Sequence, residues 1–275
     1  MDYIRLSISV TDGIQREILV ALLAEQGFDA FEETDDALLA YIPAGLYTTA
    51  DITEAISPFP HTVQSIAQQN WNAEWEKSFQ PVVVPGFCTV RAGFHDINVD
   101  TPHEIIITPK MSFGTGHHAT TQLMMTLMQD IDFEGKKVFD FGTGTGILAI
   151  LAARLGAASV LAVDNDEWSA ENAQENIMQN AVQQVVVAQG SIEIAAGQAF
   201  DIILANINRH ILLQYMQDMY NCLAAGGILL MSGLLTEDFD IVHDAAVNEG
   251  FTFLRRAEMN NWIVIQFSRG EAIDL

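Results

Sequence analysis

Within seven residues, Asp140-Phe141-Gly142-Thr143-Gly144-Thr145-Gly146 sets one carboxylate beside three glycines. The apolar pair Val138-Phe139 precedes it, and Ile147 to Ala153, of helix-forming composition, follows. The context is strand, glycine loop, helix. There glycine serves a tight turn, close backbone approach to a ligand, and close helix–strand packing. The spacing is G-x-G-x-G. A dinucleotide-binding loop, G-x-G-x-x-G, needs glycine at position 147, where this chain has Ile147. An acidic group two places before the first glycine suits a ligand with an amino group better than one with a pyrophosphate. The plainer alternative is a glycine turn of any α/β protein.

This pattern resembles motif one of the class I S-adenosylmethionine-dependent methyltransferases. In an open parallel sheet ligands sit beyond the carboxyl ends of the strands, so the residue after each apolar run carries the chemistry. After Val160 to Val163 stands Asp164, 24 residues past Asp140, a carboxylate able to accept both hydrogen bonds of a ribose diol. After Val185 to Gln189 comes Gly190-Ser191, where many relatives carry an acid, so an adenine contact by Ser191 stays open. After Ile202 to Ala205 comes Asn206-Ile207-Asn208. An amine attacking a sulfonium methyl needs a neutral acceptor that holds its N–H and aims its lone pair, which an amide carbonyl provides. Asn206 is therefore the candidate catalytic residue and a candidate cofactor contact; its alternative is a turn former closing a buried strand. Related amino-methyltransferases have Asn-Pro-Pro-Tyr here. The Asn-Ile-Asn-Arg of this chain lacks their aromatic cover, which argues against a planar base or amide nitrogen as acceptor and leaves a flexible alkyl amine.

A second unusual stretch, Pro109 to Thr121, holds Gly114-Thr115-Gly116-His117-His118. Its glycines predict a loop over the cofactor with Thr115 and Thr121 as hydroxyl contacts, and a helix from Thr120 to about Met128, whose free N–H groups suit a carboxylate. Adjacent histidines without cysteine or acidic neighbours do not make a metal site; packing or local bonding is the expected role of His117 and His118.

Two units must position these groups. Residues 1–68 alternate and repeat as β-α-β-β-α-β: strands from Ile4, Phe28, Ala37 and Val63, a helix through Ile14, Ile18, Leu19, Leu22 and Leu23 ending at Gly27, and a short helix near Asp51 to Ile56. That order predicts a ferredoxin-like α+β domain. Residues 69–80, with Trp71, Trp75 and Phe79 at every fourth place, predict a linker helix. Residues 81–275 alternate strand and helix, which predicts a parallel sheet. The run closes with Thr252 to Ala257 and Trp262 to Phe267 around Asn260-Asn261; strands joined so briefly are antiparallel. The expected fold is a seven-stranded, mostly parallel Rossmann-like methyltransferase sheet with one antiparallel strand.

With 275 residues, 49% of them hydrophobic, the chain can bury two cores. Twelve basic against 36 acidic residues give −24, and residues 1–80 alone hold 3 basic and 13 acidic, or −10. Nucleic-acid binding rests on clustered lysine and arginine, which the chain lacks, so a basic protein is the better macromolecular partner. No apolar run approaches the roughly 20 residues of a membrane span. Met1 to Arg5 does not begin as a signal peptide, and Cys88 and Cys222 lie far apart, so a cytoplasmic, monomeric enzyme with free thiols is expected.

Nearly end to end, the chain resembles the PrmA family, methyltransferases of ribosomal large-subunit protein eleven. The residues that carry the likeness are the small plait, Trp71…Trp75…Phe79-x-Pro81, Phe113-Gly-Thr-Gly-His117-x-x-Thr-Thr121, the Asp140 glycine motif, Asp164 and Asn206-Ile207. Ala119 departs from the proline common in relatives. The resemblance implies S-adenosylmethionine as cofactor, with Thr121, Gly142, Asp164 and Asn206 matching the family's cofactor contacts. Asp140 and Gly144 belong to the same glycine motif. It also implies an N-terminal domain that recognises the ribosomal protein and a larger one that methylates its lysine side chains and N-terminal α-amine, with up to three methyls. The rivals are a methyltransferase of a small amine, whose turnover would survive loss of residues 1–70; a nucleic-acid methyltransferase, disfavoured by charge; and a non-catalytic binding protein.

Overall fold

A computed structural model describes residues 3–47, 52–66, 79–110 and 114–270. The aromatic linker predicted over residues 69–80 lies outside them except for Phe79 and Gln80, as do Met111 to Phe113. The chain divides into two units, Met1–Phe79 and Gln80–Leu275.

In the first unit, β1 (Tyr3–Ser9), α1 (Gly13–Glu25), β2 (Ala30–Glu33), β3 (Ala37–Pro43), α2 (Ala44–Tyr47), α3 (Thr53–Ile56) and β4 (His61–Ile66) follow one another. The sheet order is β2-β3-β1-β4, antiparallel throughout. Alternation explains it: Leu6 and Ile8 of β1, and Leu38, Ala40 and Ile42 of β3, turn inward against Leu19 and Leu23 of α1. Asp12 caps α1 by accepting from the Gln15 N–H, and Gly27, at φ +92°, lets the chain leave it.

The second unit opens with a small sheet absent from the expectation above. It consists of β5 (Val82–Val84), β6 (Cys88–Ala92) and β7 (His103–Ile107), with β5 antiparallel and β7 parallel to β6. Next come α4 (Ala119–Met128), β8 (Lys137–Phe141), α5 (Ile147–Arg154), β9 (Ser159–Asp164), α6 (Glu167–Gln179), β10 (Val185–Gln189) and β11 (Phe200–Asn206). After these stand α7 (Arg209–Gln214), α8 (Met216–Cys222), β12 (Leu223–Leu235), α9 (Phe239–Glu249), β13 (Phe251–Met259) and β14 (Trp262–Arg269). The large sheet runs β10-β9-β8-β11-β12-β14-β13. Its first five strands are parallel, and β14 is antiparallel to both neighbours, so β14 is the one reversed strand. Between β11 and β12 the chain forms two short helices that meet at Tyr215.

Chain order reverses between β8 and β11: β9 and β10 build outward on one side, β11 and β12 on the other. At such a switch point loops diverge and leave a crevice. Phe139, Val163, Ile203 and Leu229, all fully buried, form the slab beneath it. On the other side of the glycine loop a row of amides joins the small sheet to α6. Asn180 accepts from the Ile106 N–H (2.9 Å) and Asn176 from the Thr108 N–H (2.7 Å), while Asn176 also donates to the Thr145 carbonyl (2.8 Å). Backbone N–H groups at the end of β7 are thereby satisfied.

Candidate functional site

The loops at the carboxyl ends of β8, β9, β10 and β11 enclose a cavity of about 840 Å³. Thr121, Gly142, Gly144, Asp164 and Asn206 line it. The other two candidates stand back from it. Thr115 bonds His117 (Oγ1···Nδ1 3.1 Å), and Asp140 lies fully buried under the loop.

The glycine loop is shaped by its neighbours. Gly142 and Thr143 donate their N–H groups to the Val163 carbonyl at 2.8 and 3.0 Å. Gly142, Gly144 and Gly146 hold φ of +78°, +55° and +81°, a region that other residues enter only at a cost. A side chain at position 142 would place its Cβ 2.2 Å from Cγ2 of Ile207, and one at Gly233 would stand 2.2 Å from the Ile207 carbonyl oxygen. Ile207 is thus wedged between two bare backbones, which sets the loop that carries Asn206.

Two carboxylates lie on this side. Asp164 accepts from the Gly144 N–H (2.8 Å) on Oδ2 and from the Asp166 N–H (3.1 Å) on Oδ1, and each oxygen keeps a lone pair for a ligand hydroxyl. Asp140 takes the Thr143 hydroxyl at 2.6 Å on Oδ2, whereas its buried Oδ1 has no hydrogen-bond partner of normal geometry. Burial pushes its carboxyl up to about 7; the Thr143 bond opposes that rise, Asp164 adds to it, and the Ala149 backbone lowers it slightly.

Opposite stands Asn206. Its Nδ2 is 3.4 Å from the Thr121 hydroxyl, while its carbonyl Oδ1 is buried with no partner. A buried amide oxygen left unpaired is costly, so its presence at a cavity wall points to a ligand donor. The loop that follows is tied down at both ends. Asn208 caps α7 through the Ile211 N–H (3.3 Å), and Arg209 pairs with Asp238, whose other oxygen accepts from the Leu235 N–H (2.9 Å).

His118 caps α4, accepting from the Thr120 N–H (3.3 Å), and meets Trp262 edge to face at 4.6 Å. Trp262, Tyr215 and His210 line the cavity without having been singled out from the sequence. Strand-end reading stops at the first residues after each strand; Tyr215 lies at a helix junction and Trp262 begins the reversed strand. Ser191 also lines the cavity, with its N–H given to Glu193 (3.0 Å).

A small ligand that brings a diol and a hydrogen-bond donor fits these walls. Asp164 faces the space a diol would fill, the glycine loop allows close approach, and the unpaired Asn206 oxygen awaits a donor. A volume of about 840 Å³ falls within the usual range of small-molecule sites.

Residues 21–270 match the family model described as ribosomal protein L11 methyltransferase (PrmA). The chain is 42% identical over 261 residues to a ribosomal protein L11 methyltransferase of Porphyromonas gingivalis, covering 92% of this chain and 90% of that one. It is 39% identical to the protein of that name from Bacteroides thetaiotaomicron, covering 92% of this chain and 93% of that one. Among solved structures, ribosomal protein L11 methylase from Lactobacillus delbrueckii subsp. bulgaricus superposes with a TM-score of 0.66 at 28% identity, over 70% of this chain and 100% of that one.

Proposed function

The chain belongs to the ribosomal protein L11 methyltransferase (PrmA) family, and we propose that it transfers methyl groups from S-adenosylmethionine to amines of ribosomal protein L11. The acceptors in this reading are lysine side chains and the N-terminal α-amine. The observation that carries it is the pairing of Asp164, poised for a diol, with the unpaired Asn206 oxygen across one cavity.

S-adenosylmethionine supplies an electrophilic methyl group on a sulfonium. Asp164 would accept the ribose hydroxyls, and the backbone of Gly142 and Gly144 would lie against the cofactor, with Thr121 steadying Asn206. The Asn206 carbonyl would accept one N–H of the incoming amine and aim its lone pair. As the nitrogen–carbon bond forms and the carbon–sulfur bond breaks, the surplus proton leaves the nitrogen for solvent. Position is the main contribution, worth several kcal/mol.

A lysine amine of pKa about 10.4 is neutral less than about 0.1% of the time at pH 7, a cost of roughly 4–5 kcal/mol. A neutral acceptor such as Asn206 adds no charge that would hold the amine protonated. The rate of methyl transfer therefore climbs between pH 7 and 9.5; a flat profile would count heavily against a neutral-amine requirement.

The acidic N-terminal unit would recognise a basic protein, and the net charge disfavours direct nucleic-acid binding. With a ribosomal substrate the enzyme would work in the cytoplasm, as a monomer. Among the described residues no helix is long and apolar enough to cross a membrane.

Calorimetric titration of S-adenosylmethionine into the wild type and Asp164→Ala tests the cofactor half. Micromolar binding by the wild type, weakened at least 100-fold in the variant, is expected. Mass spectrometry of L11 after incubation tests the acceptor half. Absence of binding by the wild type ends the proposal.

A further inference from the structure

Glycine leaves a backbone many conformations, and Gly142, Gly144 and Gly146 alternate along the loop after β8. The shape of that loop is therefore chosen by bonds from outside it. On the cavity side Gly144 gives its N–H to Asp164 at 2.8 Å. The next residue, Thr145, is fully buried, and both its hydroxyl and its carbonyl are held. The hydroxyl donates to the Gly114 carbonyl (2.5 Å), and the carbonyl accepts from Asn176 Nδ2 (2.8 Å).

Asn176 is a fully buried amide on α6 that bridges two distant segments. Its Oδ1 accepts from the Thr108 N–H (2.7 Å), just past β7, while its Nδ2 reaches the glycine loop. Asn180, one turn later, is buried too, but spends its side chain on β7 and its own helix. It accepts from the Ile106 N–H (2.9 Å) and donates to the Ile106 carbonyl (2.6 Å) and the Asn176 carbonyl (2.7 Å). The two amides thus support β7 alike, and only the first of this pair also grips Thr145. Nearby the loop lies close on the helix: a Cβ at Gly146 would stand 3.3 Å from that of Ala173.

We infer that Asn176 and Thr145 are positioning residues for the cofactor, a relay from α6 that holds the glycine loop in its binding shape. The inference rests on the functional reading above and assigns to it two side chains that stand behind the cavity. With the Asn176 bond in place, the Thr145 peptide cannot turn between its two glycines. The Gly144 N–H then meets Asp164, and Gly114 takes its place in the cavity wall. Without the bond only a fraction of molecules holds the competent loop, and apparent affinity falls by that fraction. Bound cofactor restores the loop, so transfer at the Asn206 wall keeps its rate.

The test is calorimetric titration of S-adenosylmethionine into the wild type, Asn176→Ala, Asn180→Ala, Thr145→Val and Thr145→Ser, with kcat on ribosomal protein L11 at saturating cofactor. Asn176→Ala is expected to weaken affinity about 10- to 30-fold and to leave kcat within about twofold. Asn180→Ala lowers the denaturation midpoint comparably and keeps affinity within about twofold. Thr145→Val, which loses the hydroxyl bond, weakens affinity about three- to tenfold, and Thr145→Ser, which keeps it, stays near wild type. Equal affinity losses in Asn176→Ala and Asn180→Ala make the amides a general support of the fold and overturn the inference. Wild-type affinity in a folded Asn176→Ala overturns it as well, leaving the enzyme's function intact. A wild type that binds no S-adenosylmethionine overturns the functional reading, and the relay falls with it. Should Asn176→Ala fail to fold, the Thr145 pair carries the test, and equal affinity in its Val and Ser forms overturns the relay.

Discussion

The two walls of the cavity are built by opposite means. On the β8–β9 side Asp164 faces the cavity and Asp140 lies buried under the loop, both held by bonds within one strand–helix–strand unit: Thr143 to Asp140, Gly144 and Asp166 to Asp164, Gly142 and Thr143 to Val163. On the β11 side stands a neutral amide, Asn206, held by partners far along the chain: Thr121, Gly233 against Ile207, and Asp238 against Arg209. In the proposed reaction the difference would suit a positively charged cofactor on one side and an amine that must shed its proton on the other. A carboxylate at position 206 would favour the protonated amine. One wall closes within a single strand–helix–strand unit, whereas the other exists only when the fold is complete.

The sharpest break of the contrast is Gly233→Ala, which lies far from the carboxylate wall in sequence. At φ +83° any side chain is strained, and its Cβ would sit 2.2 Å from the Ile207 carbonyl oxygen. Strain and overpacking each cost about 1–3 kcal/mol, so up to roughly 6 kcal/mol of stability goes if they add. Denaturant unfolding measures it, and a variant within 1 kcal/mol of wild type would show that Ile207 is not wedged.

On the carboxylate wall the probe is pH. Asp140 rises from 3.8 to about 7 on folding. Below about pH 4 the group is protonated folded and unfolded alike, and its stabilising contribution is whole. Between about 4 and 7 the unfolded chain ionises while the folded one keeps its proton, so stability falls as pH rises; above 7 the loss is complete. At about 1.36 kcal/mol per unit the loss is at most about 4 kcal/mol. Comparing Asp140→Asn with wild type across this range isolates it: the variant loses that decline. Parallel curves for the two proteins would contradict it.

Asn206→Ala comes next. Loss of one placed hydrogen-bonding group at a reacting centre costs about 100-fold in kcat, or about 2.7 kcal/mol. Cofactor affinity should change less, because Asp164 remains; an equal drop in both would make Asn206 a cofactor contact alone. Smallest is Thr121→Val. It removes a 3.4 Å bond to Asn206 and should lower kcat less than tenfold, with stability unchanged within about 1 kcal/mol.

Much of this was legible in the chain. Apolar runs and helix spacing placed β8 to β11, β13, β14, α4 and α5 within a few residues, because their apolar patterns are regular. The small sheet was not legible. Val82–Val84 is three residues long, with only Pro85-Gly86 to mark its hairpin to β6, and β6 and β7 run parallel without a helix between them, so no βαβ signal announces β7. What steadies β7 is the amide row of α6, and nothing in the spacing of Asn176 and Asn180 says that a strand will meet them. Reading the ends of strands led to Asp164 and Asn206, which line the cavity; the glycine loop led to Thr115, whose hydroxyl bonds His117.

The sequence by itself determined the glycine loop and the carboxylates at its flanks, because a left-handed backbone and a strand-end acid are local demands. Only the tertiary structure decided that Asn206 faces the cavity with a bare oxygen. That outcome depends on Gly142 and Gly233 closing on Ile207 from two strands, β8 and β12, which meet through β11 between them. Contacts between residues so distant in the chain follow from packing, and no local period encodes them.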